Sequence, residues 1–272
     1  MEKKRFSTIS TIHILKLVYR GLLFLAAVAA YVLARVNGED LIDEKSPLIF
    51  VLLGVIWVVF VAEMLSRMFP SPLESMGCEK QFRRNYKPVE DAVPQLQSGK
   101  VTFAVAFVWI ALNALFGGLY LANIFDRGLL LLIALAYSVC DMICILFFCP
   151  FQTWFMKNKC CTTCRIYNWD YAMMFTPLVF VPHWYTWTLL GLAAVLLVLW
   201  EVRVHARPER FCECCNESLA CKNCQEKLCH HKRQLRRFWK SHKNEFAGWR
   251  EKLEDKVEQL EEKLKNHLPK DK

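Results

Sequence analysis

Residues 166–204 read IYNWDYAMMFTPLVFVPHWYTWTLLGLAAVLLVLWEVRV. The number of times this stretch crosses a bilayer sets the sidedness of everything after it. A hydrocarbon core takes about 20 apolar residues as helix, so the stretch is too long for one comfortable span and short for two. Pro177 lies inside it, and the run Pro182-His183-Trp184-Tyr185-Thr186-Trp187 divides it. A proline removes a helix donor and pushes the preceding residue toward extended backbone. Clustered Trp and Tyr favour the headgroup level. The stretch therefore reads as two spans, 166–181 and 187–204. At about 1.5 Å per residue the former covers only about 25 Å and barely crosses.

The rest of the chain agrees with a membrane protein. Of 272 residues, 54% are hydrophobic, the mean hydropathy is +0.19, and the apolar residues fall in long blocks. Four earlier blocks are long enough to span: 18–36, 47–69, 101–124 and 128–149. Lys16 and Arg20 interrupt any short signal-peptide core, so the first block reads as a retained span. His13, Lys16 and Arg20 share one helical face before it, either as a basic site at a pore mouth or as an entry turn that snorkels to anionic headgroups. In the second block Glu63 and Arg67 form an i,i+4 pair able to neutralise each other. Asn113 lies mid-way in the third, and Gly117-Gly118 beyond it admit a close neighbour. The short turn at Asp126-Arg127 makes the third and fourth spans an antiparallel hairpin.

Charge fixes the orientation. The net charge of +9 is concentrated in loops and tail. Glu39, Asp40, Asp43 and Glu44 mark an outer loop. Lys80, Arg83, Arg84 and Lys87 mark an inner one, as do Lys157, Lys159 and Arg165. Six crossings place the basic tail inside; five would place it outside, against the lysine and arginine bias. The expected fold is thus an all-α polytopic membrane protein. It has a six-helix transmembrane domain over 1–204, a cytosolic Cys/His-rich module over 205–231 and an amphipathic charged helix over 232–272. Both termini are expected in the cytosol, and the host is expected to be the cell membrane.

On that topology the cysteines lie on the reducing side, with Cys140 and Cys144 in the inner half of the fourth span. Thiols stay reduced there, which points to metal or transient redox chemistry over disulfide stapling. The tail run FCECCNESLACKNCQEKLCHH supplies one candidate metal site from Cys212, Cys215, Cys221, Cys224, Cys229 and His230. It has too little apolar content to order itself by burial, so a bound ion would stabilise it. Zinc suits closed cysteine-rich tetrahedra; an iron–sulfur cluster is the alternative. Cys160, Cys161 and Cys164 form a second candidate, in which Cys161 and Cys164 also suit a redox dithiol. Shared ligation by both regions is geometrically open.

Asp141, deep in the fourth span, needs a partner, a cavity or a proton. It reads as an ion or proton relay, as a soft-metal site with Cys140 and Cys144, or as a hydrogen-bonded partner of Asn113 across the hairpin. From about residue 232 to 268 apolar residues recur at a mean step near 3.6, giving an amphipathic helix. Its basic aromatic first half suits anionic lipid, and its mixed-charge second half suits self-association or a protein partner in coiled-coil fashion. Nucleic acid is not expected. No phosphate loop, HExxH element, nucleophile elbow or internal repeat is present.

Three function classes follow. One is a membrane protein with a structural or sensing thiolate–metal site. Another is a thiol-redox or electron-transfer protein using Cys161 and Cys164, the one enzymatic class expected. The last is a small transporter or channel with Asp141 and Asn113 in its path.

Overall fold

The computed structural model describes residues 8–38, 47–68, 86–95, 99–157 and 164–220. Contacts divide the chain into two units, Met1–Leu228 and Cys229–Lys272, and the expected C-terminal helix falls outside the described residues. Those described are all-helical apart from loops and one isolated bridge between Pro88 and Asn216. The long helices are α1 (Thr8–Val36), α2 (Pro47–Met68), α3 (Gly99–Leu121) and α4 (Arg127–Leu146). A short α5 (Asp170–Phe175) and a long α6 (Trp184–Ala206) follow. All but α5 have the length and hydropathy to cross a membrane, with mean hydropathies of 1.8 to 2.5. The entry turn with His13, Lys16 and Arg20 is continuous with α1, which lengthens the first span toward its N-terminus. The fourth block ends at Leu146, three residues short of the expected limit.

The helices alternate in direction. At one end of the bundle Asp126 caps α4 by accepting the Leu129 N–H at 2.7 Å. The same carboxylate accepts the Tyr31 hydroxyl at 2.9 Å and pairs with Arg35 at 2.9 Å, tying the tip of α1 to the α3–α4 hairpin. The turn between α3 and α4 is made possible by Asn123, which holds φ 57°, a left-handed value that asparagine tolerates. At the opposite end lie Arg20, Glu63, Arg67 and Asp141.

The residues between Ile166 and Val181 run between these two ends without forming one regular helix. A 3₁₀ turn over Tyr167–Trp169 leads into α5, and another over Thr176–Phe180 leads out. Pro177 sits at the start of that second turn, where its missing N–H is harmless. Tyr171 packs at the level of Arg20 and Asp141, whereas Val181 packs with Leu130, at the hairpin end. The segment thus parallels the depth that α4 covers between Leu130 and Asp141. It is also central: Tyr171, Met174, Phe175 and Leu178 belong to one core cluster with Phe60, Met64, Leu135, Leu189 and Ala193.

A new helix starts after the proline pair of signals, but earlier than expected. His183 is extended (φ −140°, ψ 152°) and caps α6 by accepting the Tyr185 N–H at 3.5 Å. Thr186 reciprocates, its hydroxyl accepting the His183 N–H at 3.3 Å. This mutual cap places the helix start at Trp184, not Trp187.

The Phe180 ring lies directly on Gly117 of α3: a β-carbon added there would come within 2.1 Å of it. Gly118 has open space. Gly117→Ala is therefore expected to lower stability by about 1–3 kcal/mol through overpacking. Gly118→Ala is expected to be neutral or slightly stabilising, since alanine favours helix. Paired thermal unfolding curves in detergent check both.

Candidate functional site

The first candidate site is a set of charges inside the bundle. Arg20 is 0% exposed. Its guanidinium donates to Glu63 Oε2 at 2.5 Å, to Asp141 Oδ2 at 3.2 Å, to the Ser138 carbonyl at 3.0 Å and to the Tyr171 hydroxyl at 3.4 Å. Tyr171 in turn donates to Glu63 at 2.8 Å. Lys16 approaches the other Glu63 oxygen at 3.7 Å. Arg67 pairs with Asp170 at 2.6 Å, donates to Asn168 Oδ1 at 3.3 Å and lies over the Tyr171 ring at 4.7 Å. His13, two turns before Arg20 on the same face, is buried beside them.

This arrangement corrects three sequence expectations. Arg20 does not snorkel to a surface; it is the centre of the network. The i,i+4 neutralisation of Glu63 by Arg67 is superseded, because Arg20 and Tyr171 take Glu63 while Arg67 takes Asp170. Asp141 meets Arg20 and not Asn113, which instead donates to the Trp109 carbonyl within its own helix at 2.9 Å. The network holds three cations (Lys16, Arg20, Arg67) against three carboxylates (Glu63, Asp141, Asp170), so its formal charge is zero. Each charge taken from water costs several kcal/mol, repaid only when partners are close and numerous. Asp170 was missed in the sequence, although a lone acid in the apolar run YNWDYAMMF is the signal that finds it.

The second candidate is a cavity of about 270 Å³ beside the network. Asp141 and Asp170 reach its wall, together with Cys140, Cys144, Cys149 and Cys164. Among the expected thiol pair, Cys164 is buried against Val105, Met156 and Ile166. Cys160 and Cys161 lie outside the described residues.

The third candidate is the cysteine module after α6. Phe211 packs edge-on against Trp200 with centroids 5.0 Å apart, anchoring the module to the helix end. The loop at 86–95 then wraps around it. Val89 N–H donates to the Cys215 carbonyl at 3.1 Å, and Glu217 N–H to that of Lys87 at 2.9 Å. The fully buried Asn216 organises the turn: its side chain accepts from Ser218 N–H at 3.1 Å and donates to the Arg210 carbonyl at 3.0 Å. The tight turn is closed by Cys215 and Asn216, whose N–H groups both reach the Cys212 carbonyl, at 3.2 and 3.0 Å.

This turn gathers the sulfurs of Cys212, Cys214 and Cys215 within 4.8 Å of one another. Those of Cys212 and Cys214 are in bonding contact. A bond between residues two apart closes almost no chain, so it adds little to the stability of the module. Gln95 N–H points at Cys212 Sγ at 3.4 Å, while Cys214 Sγ and the Cys215 thiol face the Val93 and Ala92 carbonyls, each at 3.5 Å. Cys212 and Cys215 are thus brought together as expected, with Cys214 as an unexpected third sulfur. Cys221, Cys224, Cys229 and His230 lie outside the described residues. No family model, curated protein or solved structure matches the chain.

Removing the central cation leaves Asp141 without its ion-pair partner and Glu63 with only Lys16, at 3.7 Å. Arg20→Met is expected to lower stability by about 3–5 kcal/mol. Arg20→Lys is expected to rescue only part of that, because an ammonium cannot fork to four acceptors. Denaturation of the purified variants in detergent measures both.

Proposed function

We propose that the protein is a multi-pass membrane protein whose tail cysteines hold a metal ion in a structural or sensing role. The observation that carries this reading is the convergence of Cys212, Cys214 and Cys215 within 4.8 Å on a turn wrapped by the loop at 86–95. With the Cys212–Cys214 pair reduced, three sulfurs leave one position of a tetrahedron for a further ligand. Zinc is the ion that such closed, thiolate-rich sites usually hold; an iron–sulfur cluster is the competing occupant.

In this reading the broken segment between Ile166 and Val181 is the sixth crossing. Its support is the depth it shares with α4 and the alternation of helix directions, which bring the tail to the same end as Arg20. The basic loops then place that end, and both termini, in the cytosol. The amphipathic stretch expected from about residue 232 is assigned to the bilayer surface through its basic aromatic half and to a partner through its mixed-charge half.

Elemental analysis of protein purified in detergent is the test. About one zinc per chain is expected, lost in the Cys212→Ala/Cys215→Ala variant while the helical signal is retained. Protein that folds without bound metal would refute the assignment. Iron with visible absorbance would replace zinc by a cluster. A second reading rests on the Cys212–Cys214 bond: a sulfur pair with a third thiol beside it suits exchange chemistry, and titration of the thiols under reductant distinguishes it.

A further inference from the structure

α4 stops at Leu146 for a local reason. Pro150 has no N–H to continue the ladder, and its ring would meet the carbonyl of Leu146. The Phe147 and Phe148 N–H groups both fold back onto the Ile143 carbonyl, at 2.8 and 3.2 Å. Past that wider last turn Cys149 stays at the end of α4, its thiol beside that of Cys144. Gln152 N–H donates to Cys149 Sγ at 3.4 Å. Both sulfurs face the cavity of about 270 Å³, whose other walls include Trp109, Tyr137, Phe151 and Tyr167.

The nature of the occupant follows from charge and size. Among the described residues only Asp141 and Asp170 bring charge to the wall, and each already has an arginine, Arg20 at 3.2 Å and Arg67 at 2.6 Å. With the network formally neutral, a bound cation would find no excess negative charge. Nor do the cavity sulfurs converge on one ion: among the described residues only the tail triad gathers its ligand atoms within 4.8 Å. The volume approaches the ≈300–1,000 Å³ range of organic-ligand pockets, far beyond what one ion needs. Cys140 is exposed, so the cavity wall reaches the surface of the bundle. The Asp170 side chain is buried; its Oδ2 pairs with Arg67 at 2.6 Å, and its Oδ1 accepts no hydrogen bond. A neutral molecule with flat faces and a polar edge matches this wall.

We infer that the cavity takes a lipid-borne carbonyl oxidant of the quinone class and that the Cys144–Cys149 dithiol reduces it. In that step two S–H bonds break and one S–S bond forms. The released electron pair reduces the quinone, and the two thiol protons end on its two carbonyl oxygens, giving the hydroquinone. Asp170 is placed to accept a hydrogen bond from one new hydroxyl. An external dithiol restores the pair by exchange, becoming a disulfide as Cys144 and Cys149 regain their protons.

The test uses full-length protein in detergent, decylubiquinone as the probe and dithiothreitol as the reductant. A chelator is present so that metal at the tail plays no part. Quinone reduction is expected at least about tenfold above the protein-free rate, falling to that background in Cys144→Ser and Cys149→Ser. Both variants are expected to keep the saturable quenching of tryptophan fluorescence by quinone, because the cavity remains. Wild-type protein treated with quinone alone is expected to yield a Cys144–Cys149 linked peptide by mass spectrometry. Equal rates in wild type and serine variants, or no saturable quenching in wild type, would overturn the inference. Should the serine variants fail to fold, the linked peptide decides: its presence supports the inference and its absence overturns it.

Discussion

A guanidinium that no solvent reaches constrains everything else in this molecule. Arg20 sits on α1, and its acceptors come from α2, α4 and α5. In a low-dielectric interior an unpaired charge costs several kcal/mol, so those elements must arrive together and at one depth. Apolar helices in lipid have little preference for one rotation or register over another. Polar groups that tolerate only one arrangement supply that preference. The network is formally neutral, with three cations facing three carboxylates.

The same register explains why the segment after Ile166 is short and irregular. Asp170 and Tyr171 must meet Arg67 and Arg20 at one end, while Val181 packs on Leu130 at the other. Between those anchors the backbone includes 3₁₀ turns, which rise about 2.0 Å per residue against about 1.5 Å in an α-helix. The extra rise lets few residues cover the depth. Beyond this end of the bundle the loop at 86–95 and the turn at 208–220 close on one another through Asn216. Cysteines therefore gather near one end, both in the tail triad and around the cavity.

Much of the helical layout was readable. Long apolar blocks, the Asp126 hairpin and the break at Pro182-His183 all carry local signals, and helices stand near each. Boundaries shifted where caps decided them, as at His183, whose capping role with Thr186 has no hydrophobic signature. The ion network was only half legible. His13, Lys16, Arg20, Glu63, Arg67 and Asp141 each stand out in apolar surroundings, but their pairing depends on which helices become neighbours. A local rule coupled Glu63 to Arg67; tertiary packing assigned both elsewhere. In the tail, the cysteine-rich run FCECCNESLACKNCQEKLCHH offered Cys212 and Cys215 among its candidate ligands. Cys214 and the loop at 86–95 could not be found that way, because more than a hundred residues separate the loop from the turn. Cys149 meeting Cys144 needed the helix end at Leu146, which the apolar run concealed.

The most direct test is a double-mutant cycle on Arg20 and Asp141, read as unfolding free energy in detergent. If these groups are direct partners in a buried network, Arg20→Met and Asp141→Asn together cost less than the sum of the two alone. The expected coupling lies in the range of about 0.5–3 kcal/mol seen for contacting residues. Strict additivity would mean that the two do not meet, and that some other interaction sets the register of the bundle.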